Sequence, residues 1–332
     1  MTEPAAPVKT STRVGGTAAA PPTSPAAPVS QVRRTSAFAR SAASRLRGVD
    51  TYQEELTGSA RSRFLRHVVL AGVGIVMLYP LLWMLSASFK PSARVFADSG
   101  LIPSDVQVGN YAAGWSALEH PFELYLVNSL ILAVLNIAGN LLSCSMAAYA
   151  FARLRFRGRK LWFAAMLGTM LLPAHVVLIP QYVIFAKLGW VNTYLPLTVP
   201  AFLATNAFYV FLLVQFMRAL PMELQDAAKI DGCGPYRTYL SVIMPLTVPA
   251  MATVAIFTFI SSWNDFFGPL LYLTDSDLFT VPLALRQFMS AEGASDWGPM
   301  FSMSVVSLLP VVAFFFIGQR YLLNGISTTG MK

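Results

Sequence analysis

Residues 221–245 form the longest polar interruption between the last three apolar runs, and their types suit docking rather than bond making. The stretch contains Asp226-Ala227-Ala228-Lys229-Ile230-Asp231-Gly232, with Pro245 thirteen residues beyond Gly232. Glu223 to Ile230 should wind as a helix, because Glu, Leu, Gln, Ala and Lys all have good propensity. Gly232 and Gly234 supply backbone freedom for a sharp turn. Pro235 suits the first position of a following helix, where a missing N–H costs nothing. The spacing predicts a helix–turn–helix knuckle at a membrane surface, shaped to dock into a groove on a soluble partner. A polar surface loop without a partner is the plainer alternative.

Catalytic chemistry has no comparable signal. No G-x-x-x-x-G-K-[ST] phosphate loop occurs, so the chain should neither bind nor hydrolyse ATP. The three histidines, His67, His120 and His175, form no H-E-x-x-H pair and no credible Ser/His/Asp set. His175, alone in a span, reads as a packing or hydrogen-bonding residue rather than a ligand. Cys144 and Cys233 show no CxxC or Cys/His metal spacing. One falls in a span and the other in the knuckle, so no disulfide is expected.

The elements that position the knuckle follow from composition. The chain is 55% hydrophobic and 12% charged, with mean hydropathy +0.56. Soluble domains carry about 25% charged residues, so this is an all-α integral membrane protein. No Asp, Glu, Lys or Arg interrupts the runs between Arg66 and Lys90, Glu123 and Arg153, Lys160 and Lys187, Lys187 and Arg218, Arg237 and Asp265, or Asp296 and Arg320. Each gap exceeds the roughly 20 residues a spanning helix needs, which predicts six transmembrane helices. With both termini cytoplasmic, the inner segments hold 20 of the 24 Lys and Arg residues; only Lys90, Arg94, Lys187 and Arg286 fall outside. That asymmetry obeys the positive-inside rule. The net charge of +8 is therefore an orientation signal and calls for no nucleic acid.

Residues 1–60, rich in Ala, Pro, Ser, Thr and Arg, cannot bury a core and should be a disordered cytoplasmic tail. Arg33-Arg34 has no apolar stretch close behind it and so makes no export signal, although the tail's arginines could meet anionic lipid headgroups. Residues 61–332 hold the six spans, at about 68–88, 124–152, 161–184, 195–217, 246–263 and 300–318, with the knuckle at about 219–243. In the second span Asn128, Ser129, Asn136, Asn140 and Ser143 share an arc of about 120°. They should face protein or water, so interhelical hydrogen bonding and the lining of a polar translocation path are both open. The fifth span ends in Trp263-Asn264-Asp265, where Trp263 could serve only as an interfacial anchor. Asp275, Asp277, Glu292 and Asp296 with Trp297 make an acidic outer loop suited to a docking protein. Every span lacks Asp, Glu, Lys and Arg, which argues against proton or sodium coupling and for an external energy source.

The run 226–232 with Pro245 resembles the "EAA" loop of membrane-spanning permease subunits in ABC importers, with Asp226 standing where the pattern has Glu. Phe151-Ala152-Arg153-Leu154-Arg155-Phe156-Arg157-Gly158-Arg159-Lys160, the Trp263-Asn264-Asp265 segment and the tail from Gln319 to Lys332 resemble the carbohydrate branch of that family. The resemblance runs from about residue 62 to the end. It implies half of a heterodimeric pore in a bacterial inner membrane, with two ATP-binding subunits and a sugar-loaded extracytoplasmic binding protein as partners. ATP and Mg would sit on the partner ATPase, leaving this chain without a cofactor. The resemblance further implies that Asp226, Ala227, Ala228, Lys229, Asp231 and Gly232 dock on the ATPase. Asn128, Asn136, Asn140, Trp263, Asn264 and Asp265 are the candidate translocation path. A permease for a phosphate ester, peptide or amino acid, or a membrane scaffold without transport, would fit the same residues.

Overall fold

A computed structural model describes residues 60–289 and 296–327. Of the leader expected to be disordered (1–60), all but Ala60 lies outside the described residues, as do Glu292 and the last five residues. Among those described, every regular element is helical. Helix α1, Ala60–Ala87, runs through Pro80. Two units divide within it, between Ile75 and Val76. In the first unit the described side chains are exposed, and Arg66 Nε donates to Ser62 O one turn back (3.4 Å).

The second unit is organised around a long helix. After α2 (Gly109–Ser116), α3 spans Phe122–Arg153. Pro121 precedes it with ψ 142°, Glu123 sits in its first turn and Arg153 in its last. Acid at the N-terminus and base at the C-terminus both complement the helix dipole. Leu154 leaves in an extended conformation, and Gly158 (φ 83°) turns the chain into α4, Arg159–Thr169. The basic run 153–160 is thus the corner itself.

The third expected span is not one helix. It breaks into α4 and α5 (Ala174–Lys187) around Pro173, which has no N–H to continue the ladder and disfavours helix in the residue before it. The fourth is interrupted too. α6 (Leu195–Thr198) passes into a 3₁₀ turn, Val199–Leu203, and Ala204 is left-handed (φ 54°). The Asn206 side chain then caps α7, Ala207–Ala219, by accepting from Tyr209 N (3.3 Å). After the short helices α8 (Glu223–Ile230), α9 (Pro235–Thr238) and α10 (Met244–Leu246), α11 covers Val248–Trp263. Pro235–Leu246 and Val248–Trp263 meet at 76°. A π turn at Tyr239–Ile243 and prolines 245 and 249 on either side of the bend account for it. The chain ends with α12 (Phe267–Tyr272), α13 (Val281–Gln287) and α14 (Trp297–Ser327). Four of these runs are long and apolar enough to cross a membrane, or five if the bent pair is one span.

Helix α3 packs along α7, α11 and the 199–203 turn. Gly139 allows that turn to come close, since a Cβ there would lie 3.0 Å from Ala201. Two apolar clusters form, one towards each end of α3. Near its C-terminus Cys144, Ala148, Leu213, Met217, Ile243 and Val254 are buried together. Near its N-terminus Phe122, Tyr125, Phe259, Trp263, Phe288 and Met303 form the other. Among lipid-facing helices such packing works through van der Waals contact and interhelical hydrogen bonds, because burial away from lipid tails gains little.

Candidate functional site

The polar knuckle begins where α7 ends. Leu220, ahead of Pro221, is extended (ψ 142°) as a pre-proline residue should be. Helix α8 then runs for two turns. Only Gln225 and Ala228 are buried along it; Asp226, Ala227, Lys229 and Asp231 face outward. Its end is a complete Schellman motif: Cys233 N–H donates to Ala228 O (2.8 Å) and Gly232 N–H to Lys229 O (3.0 Å). Gly232, at φ 76°, carries the left-handed step that motif requires. Gly234 is extended (φ −70°, ψ 170°), a conformation open to any residue, so only one of the two glycines is needed for its backbone. Asp226 and Lys229 pair at 2.9 Å, but both are more than half exposed and the pair adds little stability.

Two features of this surface escaped the sequence reading. Ile230 and Tyr236 stand out at 87% and 77% exposure, on either side of the turn. Apolar side chains presented by a polar loop are what a docking knuckle would insert into a groove; Ile230 was visible in the sequence as the only apolar residue closing a polar helix. The second feature is the underside. Arg153, 5% exposed, donates through Nη2 to Met217 O (2.5 Å) and Leu220 O (2.7 Å). Its Nη1 lies 2.8 Å from Met222 Sδ. A cleft of about 410 Å³ lies between α3 and the knuckle, lined by Tyr149, Arg153, Gln225, Asp226, Lys229 and Cys233 among others. No local sequence signal separates Arg153 from the four other cations of its turn.

The polar arc of α3 is engaged in hydrogen bonds along its whole length. Asn128 Nδ2 donates to Asp277 O (2.8 Å) and Phe279 O (3.0 Å), and Ser129 Oγ accepts from Val281 N (2.8 Å). Asn136 Nδ2 donates to Ser262 Oγ (3.1 Å), linking α3 to α11. Asn140 Oδ1 accepts from Cys144 Sγ (3.6 Å), and Ser143 Oγ donates to Ala201 O (2.6 Å). Trp263 is not at a surface. It is 3% exposed, donates to Ser307 O (3.2 Å) and stacks on Phe259. Asn264 is exposed and folds back to Ile260 O (2.8 Å), while Asp265 Oδ1 accepts from Gly268 N (3.1 Å).

At the other end of the unit the loop after α1 is pinned by a buried cation. Lys90, 1% exposed, donates to Asp98 O and Gly100 O (both 2.6 Å). Asn110 Nδ2 reaches Ser88 O and Lys90 O (both 2.9 Å). The Asp98 carboxylate accepts from Gly100 N and Ser104 N, and these amides, together with Lys90, hold its pKa below the usual carboxylate value.

Residues 139–328, which contain the knuckle, match the model of the binding-protein-dependent transport system inner membrane component family. The chain belongs to that family. It is a multi-pass membrane permease subunit of an ABC importer, a transport component and not an enzyme, with the ATPase on a separate subunit. The trehalose/maltose transport system permease protein MalG of Thermococcus litoralis is 33% identical over 78% of this chain and 93% of its own. The arabinooligosaccharides transport system permease protein AraQ of Halalkalibacterium halodurans is 31% identical over 79% and 94%. A solved bacterial ABC transporter involved in import of the acidic polysaccharide alginate shares the fold: TM-score 0.69 at 23% identity, over 80% of this permease and 98% of that chain.

Proposed function

We propose that this permease imports a sugar or oligosaccharide, working with a second permease subunit as a heterodimer, two ATP-binding subunits and an extracytoplasmic binding protein. The observation that carries the reading is the α8–α9 knuckle. Its Gly232 turn presents Ile230 and Tyr236 outward, and it lies inside the family match. The relatives named above for disaccharides and oligosaccharides support the sugar class. The knuckle is the cytoplasmic coupling loop. Asp226 meets the ATPase by charge, Ala227 allows close approach, and Asp231-Gly232 holds the turn. Both termini are cytoplasmic, as the Lys and Arg asymmetry favours. Six spans follow if α4 and α5 together form the third and the bent pair that ends in α11 forms the fifth. ATP-driven closure of the ATPase then moves each knuckle and shifts the spans between inward- and outward-facing states. Asn136, Asn264 and Asp265 remain the candidates for the path itself.

Gentle solubilisation from the native membrane, with mass spectrometry of what co-purifies, tests the assembly. A P-loop ATPase and a second permease should be recovered, and Gly232→Pro should lose the ATPase. Proline cannot take φ 76° and removes the N–H that Lys229 O accepts, a cost of about 3 kcal/mol or more. Recovery of the chain without an ATPase would overturn the reading. An uptake competition panel of oligosaccharides against glycerol phosphate, peptides and amino acids tests the solute class; competition by a non-sugar alone would overturn it.

A further inference from the structure

Three residues spaced four apart on α3, Ser145, Tyr149 and Arg153, lie on one face of that helix. All three point at the knuckle. Arg153 binds the carbonyls of Met217 and Leu220 and the sulfur of Met222, the residues leading into α8. Tyr149 OH donates to Pro235 O (3.1 Å), the first residue after the turn. Ser145 Oγ and Tyr239 OH bond at 2.7 Å, and the Tyr149 and Tyr239 rings sit 5.2 Å apart. The segment is therefore fastened to one helix both before and after its turn. Packing alone does not hold it, because α8 buries only Gln225 and Ala228 and a cleft opens beneath it.

Arg153 is an expensive fastener. Among the described residues its charge is met by carbonyl oxygens at the C-terminal end of α7 and by no carboxylate, and its Nε has no protein partner. A buried cation is a poor source of stability compared with an apolar side chain of similar size. Its five donors in a fixed fork can instead hold several carbonyls in one geometry. From there α3 extends about 48 Å at 1.5 Å per residue, and at its far end Asn128 and Ser129 hold the 277–281 loop.

We propose that Ser145, Tyr149 and Arg153 are the transmission stripe of this permease. They are positioning residues that make the coupling segment and α3 move as one body, so that displacement of α8 reaches the 277–281 loop. This rests on the coupling-loop reading above.

The test uses the complete importer reconstituted in proteoliposomes with its ATPase, partner permease and binding protein. The double variant Tyr149→Phe, Arg153→Met should keep the ATPase bound and hydrolysing ATP, yet import about tenfold less solute per ATP, the effect of about 1.4 kcal/mol of lost hydrogen bonding. Arg153→Lys should recover much of the loss, since an ammonium can donate to the same carbonyls. Unchanged solute per ATP, or hydrolysis and import falling together, would overturn the proposal. Should the double variant not assemble, spin labels at Met146→Cys and Arg237→Cys, in a Cys144→Ala, Cys233→Ala background, decide it without touching the stripe. Their separation should stay constant when the ATPase is trapped closed; a change of more than about 5 Å, one helical turn, would overturn the proposal. A wild-type chain that retains no ATPase would instead sink the coupling reading, and this inference with it.

Discussion

The two ends of α3 solve the same problem with different materials. Each must hold a loop that belongs to another part of the chain. At the N-terminal end, neutral amides and hydroxyls do so from inside an aromatic cluster. Asn128 and Ser129 take up three backbone groups of the 277–281 loop while Trp263, Phe259 and Phe314 stack nearby. At the C-terminal end, a cation and a phenol grip carbonyls across a cleft of about 410 Å³. The first arrangement is close-packed and resists displacement. The second leaves the short helix α8 mostly exposed and tethered by directional bonds. The second kind suits the coupling role proposed for this segment.

The comparison can be broken or sharpened by substitution. The largest effect is expected at the aromatic end. Trp263→Ala removes a stack and the bond to Ser307 O, and should cost about 3–5 kcal/mol, read as a lower Tm of the solubilised permease. If the loss falls below about 1 kcal/mol, the aromatic end is not the rigid one. Asn128→Ala leaves the carbonyls of Asp277 and Phe279 unpaired, for a loss of about 1–3 kcal/mol. Hydrogen exchange should then accelerate in 275–281 and not in 219–243; acceleration in both would mean the ends are not separable.

Acid should loosen the loop after α1. A carboxylate whose folded pKa is depressed adds stability that is present above the unfolded pKa and lost as pH falls through the folded one. For Asp98, held down by the Gly100 and Ser104 amides and by Lys90, that loss comes only below the ordinary carboxylate range. Spin-label mobility at Ile102→Cys should rise there, and Asp98→Asn should show the raised mobility already at pH 7. The smallest effect belongs to the knuckle surface. A double-mutant cycle on Asp226 and Lys229 should give no more than about 0.5 kcal/mol of coupling, since both groups are solvated. A larger value would place that pair in a drier setting than an exposed helix.

Much of the knuckle was legible in sequence because its determinants are local. A helix of good formers, a glycine with no side chain to clash at positive φ, and a proline tolerated at a helix start act within one or two turns, whatever surrounds them. The family match at 139–328 spans these residues. The span boundaries show what local reasoning misses. Charge gaps located the apolar runs, yet the gap between Lys160 and Lys187 holds two helices, because Pro173 breaks backbone bonding without adding charge. The apolar run before α7 likewise conceals a left-handed Ala204, a residue that carries no turn signal of its own.

The sequence by itself determined an all-helical membrane chain, the position of its polar knuckle and the pair of glycines, Gly232 and Gly234, one of which turns it. Those properties depend on hydrophobicity, charge and backbone freedom, which each stretch carries with it. Only the tertiary structure decided which polar side chains pair with what. Asn128 on one helix meets carbonyls about 150 residues away, Trp263 meets the Ser307 carbonyl on a neighbouring helix, and Arg153 alone among five clustered cations is buried. Such choices depend on where other segments bring their unpaired carbonyls, and composition or periodicity holds no record of that.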